Sequence, residues 1–229
     1  MIVFDLDGTL IDSRQDLADA ANALIVERGG RPLPSDAVGR MVGEGAAMLV
    51  RRALDAAGLP LDTRSVPRFL ELYDERLLDT TYVYPGLLPV VEELSRRSPM
   101  AIVTNKPLAP TRKLVEALGL QPFFRSVIGG DGPFPRKPDP SSLRHLMQEY
   151  GATAGQTVMV GDSRIDFETA RAAGTAICLV RFGFGYETFP AGLLSGDEGL
   201  ADAPRQLPAI IERLLESRRQ SARESSSGR

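Results

Sequence analysis

The strongest constraint on the fold is an alternation of short uncharged runs with helical periods. Ile2-Val3-Phe4, Met100-Ala101-Ile102-Val103, Ser126-Val127-Ile128, Thr157-Val158-Met159-Val160 and the stretch over residues 177–182 supply the runs. Between them, Leu87, Val91 and Leu94, then Leu114, Val115 and Leu118, then Leu143, Leu146, Met147 and Tyr150, then Phe167, Ala170 and Ala173 recur at helical spacing. A last set follows at Leu207, Ile210, Ile211, Leu214 and Leu215. Runs of this kind make strands buried on both faces, and the recurring residues make the apolar side of a helix. Strand, helix, strand in repetition predicts an α/β fold: a doubly wound parallel sheet, Rossmann-like, with right-handed crossovers. Ligands of such a sheet bind beyond the carboxyl ends of its strands.

A different pattern interrupts the alternation after the first strand. Leu17, Ala21, Leu24 and Ile25 outline a helix stopped by Gly29-Gly30, and Ser35 is placed to cap a short helix carrying Val38, Met41 and Val42. Leu49, Val50, Ala53, Leu54 and Ala57 outline a third helix, and Val66, Leu70, Tyr73 and Leu77 a fourth. No strand is expected here. The predicted division is a core over residues 1–14 and 83–217, an all-helical insert over 15–82, and a disordered polar tail over 218–229.

With 229 residues, 43% of them hydrophobic, the chain can fill one generous core and a smaller insert. Its formal charge of -3 is small and mixed in sign, which argues against nucleic acid or an anionic membrane as partner. A small molecule is the expected partner, with monomer and homodimer both open. The single cysteine excludes an internal disulfide, and Cys178 sits in an apolar run as a buried strand thiol would. No uncharged run reaches the ~20 residues of a membrane span, and Asp5 interrupts any signal-peptide core, so a cytoplasmic location is expected.

Three strands end in residues that carry chemistry: Asp5 after Phe4, Thr104 after Val103, and Gly161-Asp162 after Val160. A parallel sheet brings these ends to one edge. Asp7 lies two residues beyond Asp5, and Gly8 permits a sharp turn, so both carboxylates are expected in one site. At ~4 Å in an effective dielectric of ~20 their repulsion is ~4 kcal/mol, which calls for a cation or a retained proton. A solvated Asp-Gly turn is the plain alternative. A calcium loop begun at Asp5 fails, because Leu10 stands where glycine is required and Asp16 where glutamate is.

Thr104-Asn105-Lys106-Pro107 opens a helix, where Thr104 or Asn105 could serve as a cap, or where a hydroxyl and backbone N–H groups could meet phosphate oxygens. Arg136-Lys137-Pro138-Asp139-Pro140 is a stiff loop able to hold one lysine charge in place, with Arg136 at its rim. Asp162 and Asp166 are four residues apart at a helix start, an arrangement that a cation or lysine would relieve; Asp162 is assigned to the metal and Asp166 to an outer role, through water or by anchoring Lys137. His145, the only histidine, has no ligand-spaced neighbour and reads as structural or exposed. A Walker loop is absent.

Asp5-Leu6-Asp7-Gly8-Thr9, Thr104, Lys137, and Gly161-Asp162 with Asp166 together resemble, in order, the four motifs of the haloacid dehalogenase superfamily in the version used by its phosphatases. The resemblance spans about residues 1–215. Val42-Gly43-Glu44-Gly45, Val103-Thr104-Asn105-Lys106-Pro107, Gly129-Gly130-Asp131 and the Lys137 loop further resemble the bacterial phosphoglycolate phosphatases. The insert stands where that superfamily has its C1-type cap. Only three strand residues precede Asp5 after Met1, fewer than the family pattern, which implies a late start and a short first strand.

The resemblance implies a Mg²⁺-dependent phosphomonoesterase acting on a small phosphorylated metabolite, expected to be 2-phosphoglycolate. Asp5 would be the nucleophile that forms an aspartyl phosphate and Asp7 the acid and then base. Asp5, the Asp7 backbone carbonyl and Asp162 would hold the metal, with Thr9 and Asp166 behind them. Thr104, Asn105 and Lys137 would bind the phosphate, and Gly43 and Gly45 of the cap would meet the rest of the substrate. A sugar phosphatase or hexose-phosphate mutase is the rival on the same scaffold. A receiver-like signalling module shares the aspartate, threonine and lysine but is shorter and has no helical insert. Dehalogenation generally goes without the second acid, and phosphonate cleavage needs a lysine that the chain lacks before Lys106.

Overall fold

The computed structural model describes the backbone of residues 1–227 and the side chains of residues 1–220. The strands among them are β1 (Ile2–Phe4), β2 (Ile11–Asp12), β3 (Tyr82–Val83), β4 (Met100–Val103), β5 (Ser126–Ile128), β6 (Val158–Gly161), β7 (Ala176–Val180) and β8 (Gly199–Ala201). Six of them form one parallel sheet in the order β5-β4-β1-β6-β7-β8. The helices are α1 (Arg14–Glu27), α2 (Ser35–Gly39), α3 (Ala46–Ala56), α4 (Ser65–Asp74), α5 (Leu87–Arg97), α6 (Leu108–Ala117), α7 (Ser141–Glu149), α8 (Arg164–Ala173) and α9 (Leu207–Ser227).

Side chains alternate across the sheet with the period of two that a strand imposes. Ile2, Phe4, Met100, Ile102, Val158, Val160, Cys178 and Val180 face one layer, packed with Leu87 and Val91 of α5, Leu114 of α6 and Leu207 and Ile211 of α9. Val3, Ala101, Val103, Met159, Ile177 and Leu179 face the other, packed with Leu143 and Leu146 of α7 and Phe167 and Ala170 of α8. Helices on both faces make the sheet doubly wound, as the alternation predicts. Cys178 is fully buried, and burial pushes its thiol up to about 12.

Short as it is, β1 is the central strand. Ile2 pairs with Met100 on one side and Val158 on the other, and the Met1 ammonium donates to the Gln156 carbonyl at 2.8 Å. The order of connections reverses at β1, so the switch point of the sheet lies at its carboxyl end, just where Asp5 follows.

The four helices α1 to α4 lie between β1 and β4, and their Leu17, Leu49, Phe69 and Tyr73 join the same apolar cluster as one face of the sheet. Buried Asp16 ties the two ends of this segment together, its carboxylate accepting from Thr81 N at 2.9 Å, Thr81 Oγ1 at 2.6 Å and Thr80 N at 2.9 Å.

Several local expectations need correction. Tyr82 is not the end of a helical stretch but part of β3, which pairs antiparallel with β2 (Ile11 opposite Val83, Asp12 opposite Tyr82). A two-residue pair made across 70 residues has no local pattern to betray it. β8 is likewise too short, and begins with a glycine. Ser35 makes no capping bond and is the first helical residue after Pro34. The helix expected to reach Leu77 ends at Asp74. The tail expected to be disordered over 218–229 is instead helical as far as Ser227, where α9 extends past its apolar face, and residues 228–229 lie outside the described residues. The Arg218 guanidinium donates to the carbonyls of Gly174 (2.6 Å) and Thr175 (3.0 Å), which ties the start of that extension to the core.

Candidate active site

Neighbouring strands β4, β1 and β6 deliver Thr104, Asp5 and Asp162 side by side. Asp5 N donates to Val160 O at 2.9 Å and Thr104 N to Ile128 O at 3.0 Å, so the ladder continues through these residues and fixes where their side chains start. Asp5, Thr104, Asp162 and Lys137 are all buried.

Lys137 is the hub. Its ammonium lies 2.8 Å from Asp5 Oδ1 and 2.7 Å from Asp166 Oδ1. Asp166 is held in turn: its Oδ2 accepts from Ser163 Oγ at 2.6 Å and Ser163 N at 3.1 Å, while Ser163 Oγ accepts from Asp166 N at 3.3 Å, a capping box at the start of α8. The cap of that helix is thus Ser163, and Asp166 anchors both a helix and a lysine. Asp162 accepts from Gly185 N at 2.7 Å and, weakly, from Thr9 Oγ1 at 3.4 Å. A Cβ on Gly8, whose φ is +84°, would stand 1.9 Å from Asp162 Oδ2, so only glycine admits the carboxylate there.

Carboxylate oxygens of Asp5, Asp162 and Asp166 lie within 4.8 Å of one another. The three acids and one ammonium leave two negative charges in a buried site, the amount that one divalent cation cancels. Asp5 Oδ1 is buried and, although the ammonium is near it, has no aligned hydrogen-bond donor. Burial, then the charge of Asp166, pushes the Asp5 carboxyl up to about 7. Burial, then Asp166 and Asp5, holds Asp162 well above the usual carboxylate range. Burial by itself would lower Lys137, but Asp166 and Asp5 outweigh it and the ammonium is raised above the ordinary lysine value. An oxygen-rich, under-neutralised, partly unsatisfied cluster is the donor set that a hard divalent cation takes.

Asp7 departs from the expectation that it would crowd against Asp5. It lines the same cleft as Asp5, but its carboxylate has partners of its own, accepting from Ser13 Oγ at 2.5 Å and from Lys106 Nζ at 3.0 and 3.1 Å. The repulsive cluster is Asp5 with Asp162 and Asp166 instead. Nor do Thr104 and Asn105 cap α6. Its first N–H, on Leu108, goes to Asp131 Oδ1 at 2.7 Å. Thr104 Oγ1 accepts from Lys106 N at 3.2 Å, which leaves its O–H to donate into the cleft. The Asn105 side chain is a clamp: it donates to Gly43 O (2.9 Å) and Lys137 O (3.0 Å) and accepts from Lys137 N (2.9 Å).

A narrow cleft opens beside Asp5, Asp7, Thr104, Asn105 and Lys106, and its opposite wall is the helical segment, including Gly43, Gly45, Leu49, Phe69 and Tyr73. The structure therefore brings Gly43 and Gly45 to the site. Gly45 has φ of +89°, and a Cβ there would stand 3.0 Å from Asn105 O. Arg136 donates from Nε to Gly130 O at 2.8 Å at the rim, and His145, half-exposed, lies against Phe134 with ring centroids 4.8 Å apart.

Lys106 is the residue that sequence reasoning passed over. Of 27 Lys and Arg residues only Lys106, Lys113 and Lys137 are lysines. Two of these three are buried against site carboxylates. In a chain that otherwise uses arginine, that bias was the available signal. Tyr73 gave none, since it read as a helical position.

A family model for haloacid dehalogenase-like hydrolases matches residues 2–180. Among curated proteins, a phosphoglycolate phosphatase of Rhodospirillum rubrum is 43% identical over 195 residues, 81% of each chain. A plasmid-borne phosphoglycolate phosphatase of Cupriavidus necator is 37% identical over 214 residues, 92% of each chain. Among solved structures, a predicted phosphoglycolate phosphatase from Haemophilus somnus superposes with a TM-score of 0.84 at 28% identity, covering 92% of this chain and 96% of that one. With the motif residues at one sheet edge and the match running through most of the chain, the protein belongs to the haloacid dehalogenase-like hydrolase family and is a hydrolase.

Proposed function

We propose that the protein is a Mg²⁺-dependent phosphoric monoester hydrolase that works through a phosphorylated Asp5 and acts on 2-phosphoglycolate. The observation that carries this reading is the buried group of Asp5, Asp162, Asp166 and Lys137 at the switch point of the sheet. The names of the relatives support the substrate.

An oxygen of Asp5 attacks phosphorus as the ester P–O bond breaks, and the departing alkoxide takes a proton from Asp7. Water then attacks the same phosphorus, Asp7 takes its proton, and the Asp5–phosphorus bond breaks to release inorganic phosphate. Lys137 and the Thr104 hydroxyl, with the Asn105 amide, stabilise the charge spreading over the phosphoryl oxygens. Asp5, Asp162 and the Asp7 backbone carbonyl would hold the ion, with Asp166 and Thr9 steadying them. Bound there, Mg²⁺ would offset negative charge on nucleophile and phosphate alike. The helical segment over residues 15–82 acts as a cap that excludes water, with Gly43 and Gly45 on the substrate side.

Phosphate release from a panel of small esters, with and without Mg²⁺, tests the reading. Preference for 2-phosphoglycolate and loss of turnover in EDTA are expected. Equal or better rates on sugar phosphates would remove the substrate assignment and favour the sugar-phosphatase alternative.

A further inference from the structure

The cleft has a second cationic position that the chemistry at phosphorus does not use. Lys106 lines it, with a side chain only 4% exposed, and its ammonium sits 4.4 Å from the centre of the Tyr73 ring as well as against Asp7. Burial by itself would lower its pKa, but Asp7 and then Tyr73 outweigh that, so the amine is held protonated. Tyr73 comes from α4 on the opposite wall. It is 2% exposed, and its hydroxyl is buried beside the Lys106 ammonium without an aligned hydrogen-bond partner. A buried unpaired O–H is costly and calls for an occupant. The other side chains of that wall, Leu17, Val42, Ala46, Leu49, Phe69 and Leu70, are apolar, so besides the backbone of Gly43 and Gly45 the Tyr73 hydroxyl is its polar group.

We infer that Lys106 and the Tyr73 hydroxyl together receive the carboxylate of the substrate and so select esters that carry an anion next to the scissile oxygen. This rests on the phosphatase reading above and deepens it. The reason is one of reach. Asp7 must meet the leaving oxygen, and Lys106 already touches Asp7, so an anionic group received by Lys106 stands one carbon from that oxygen. A 2-phosphoglycolate carboxylate is attached at that carbon. An ammonium has three donors, and the two bonds to Asp7 leave it able to serve another acceptor. Because Lys106 belongs to the core and Tyr73 to the helical segment, the receiving pair exists only where the two walls meet.

The test compares kcat/KM for 2-phosphoglycolate with kcat/KM for ethyl phosphate, which has the same leaving oxygen and no carboxylate. The wild-type ratio is expected to exceed one by about 10²-fold or more, since a site built to bond a polar group rejects an analogue lacking it. Tyr73→Phe, which keeps the ring, should lower the ratio roughly tenfold, and Lys106→Met should bring it close to one. Lys106→Arg keeps the charge and should restore part of the ratio. Should Lys106→Met not fold, Tyr73→Phe decides. Equal loss on both esters in Lys106→Met, or an unchanged ratio in Tyr73→Phe, would overturn the inference while a wild type that prefers 2-phosphoglycolate leaves the phosphatase reading standing. A wild type with no preference between the two esters overturns the inference and the 2-phosphoglycolate assignment together, and leaves the phosphomonoesterase activity standing.

Discussion

The two buried lysines mark two regions of one cleft that are built on different plans. Around Lys137 the core supplies everything: three carboxylates gathered from the ends of β1 and β6 and the start of α8, a stiff loop, and more negative charge than a single ammonium can offset. Around Lys106 the charge is already matched by Asp7, the side chains of the opposite wall are mostly apolar, and a hydroxyl from the helical segment is left without an aligned partner. An unbalanced region is suited to bind ions and move a phosphoryl group. A balanced one with a single unmet donor is suited to choose what that group is attached to.

The largest effects should come from the Lys137 side. Asp5→Asn removes the nucleophile and should lower turnover by at least ~10⁴-fold, to be read as phosphate release. Because it also removes a charge from an over-anionic cluster, the melting temperature without metal should stay level or rise. Lys137→Met does the reverse to the fold: three buried acids lose the ammonium that pairs with Asp5 and Asp166, so metal-free stability should fall by about 3–5 kcal/mol in urea unfolding, together with activity. The same change in stability for Asp5→Asn would erase the contrast.

Smaller effects sharpen the comparison. An unfolded Asp5 gives up its proton near 3.8, whereas the folded one keeps it to about 7, so between those values the folded form binds more protons and stability falls as pH rises. Thermal shift by Mg²⁺ should therefore be greater at pH 8 than at pH 5, where the cation must displace a proton. A shift independent of pH would separate the metal from Asp5. Asn105→Ala cuts the clamp between Gly43 and the Lys137 backbone, and should raise KM by several-fold while costing about 1–3 kcal/mol of stability. If KM is unmoved, the clamp serves the fold alone.

The Lys137 region was legible in the sequence because each of its members follows an apolar strand or a stiff turn, and a parallel sheet converts such positions into neighbours. What the residues alone did not reveal was pairing over distance. Asp7 looked bound to crowd Asp5, yet a lysine 99 residues away claims it. Tyr73 has the spacing of a core residue and is one, but it also lines the cleft across the fold. The β2–β3 pair and the Asp16 clasp on Thr80 and Thr81 escaped for the same reason, since neither end carries a local period. The helix to Ser227 escaped for another: a polar segment that continues an existing helix needs no new nucleus, although the same composition standing alone would not form one.

Nothing tests the account more directly than capture of the acyl phosphate. Protein turned over with 2-phosphoglycolate and Mg²⁺, quenched in acid and reduced with borohydride, should yield homoserine at position 5 on peptide mass mapping, in an amount that vanishes without substrate. Reduction at another carboxylate, or an unmodified Asp5 under conditions of full turnover, would contradict it.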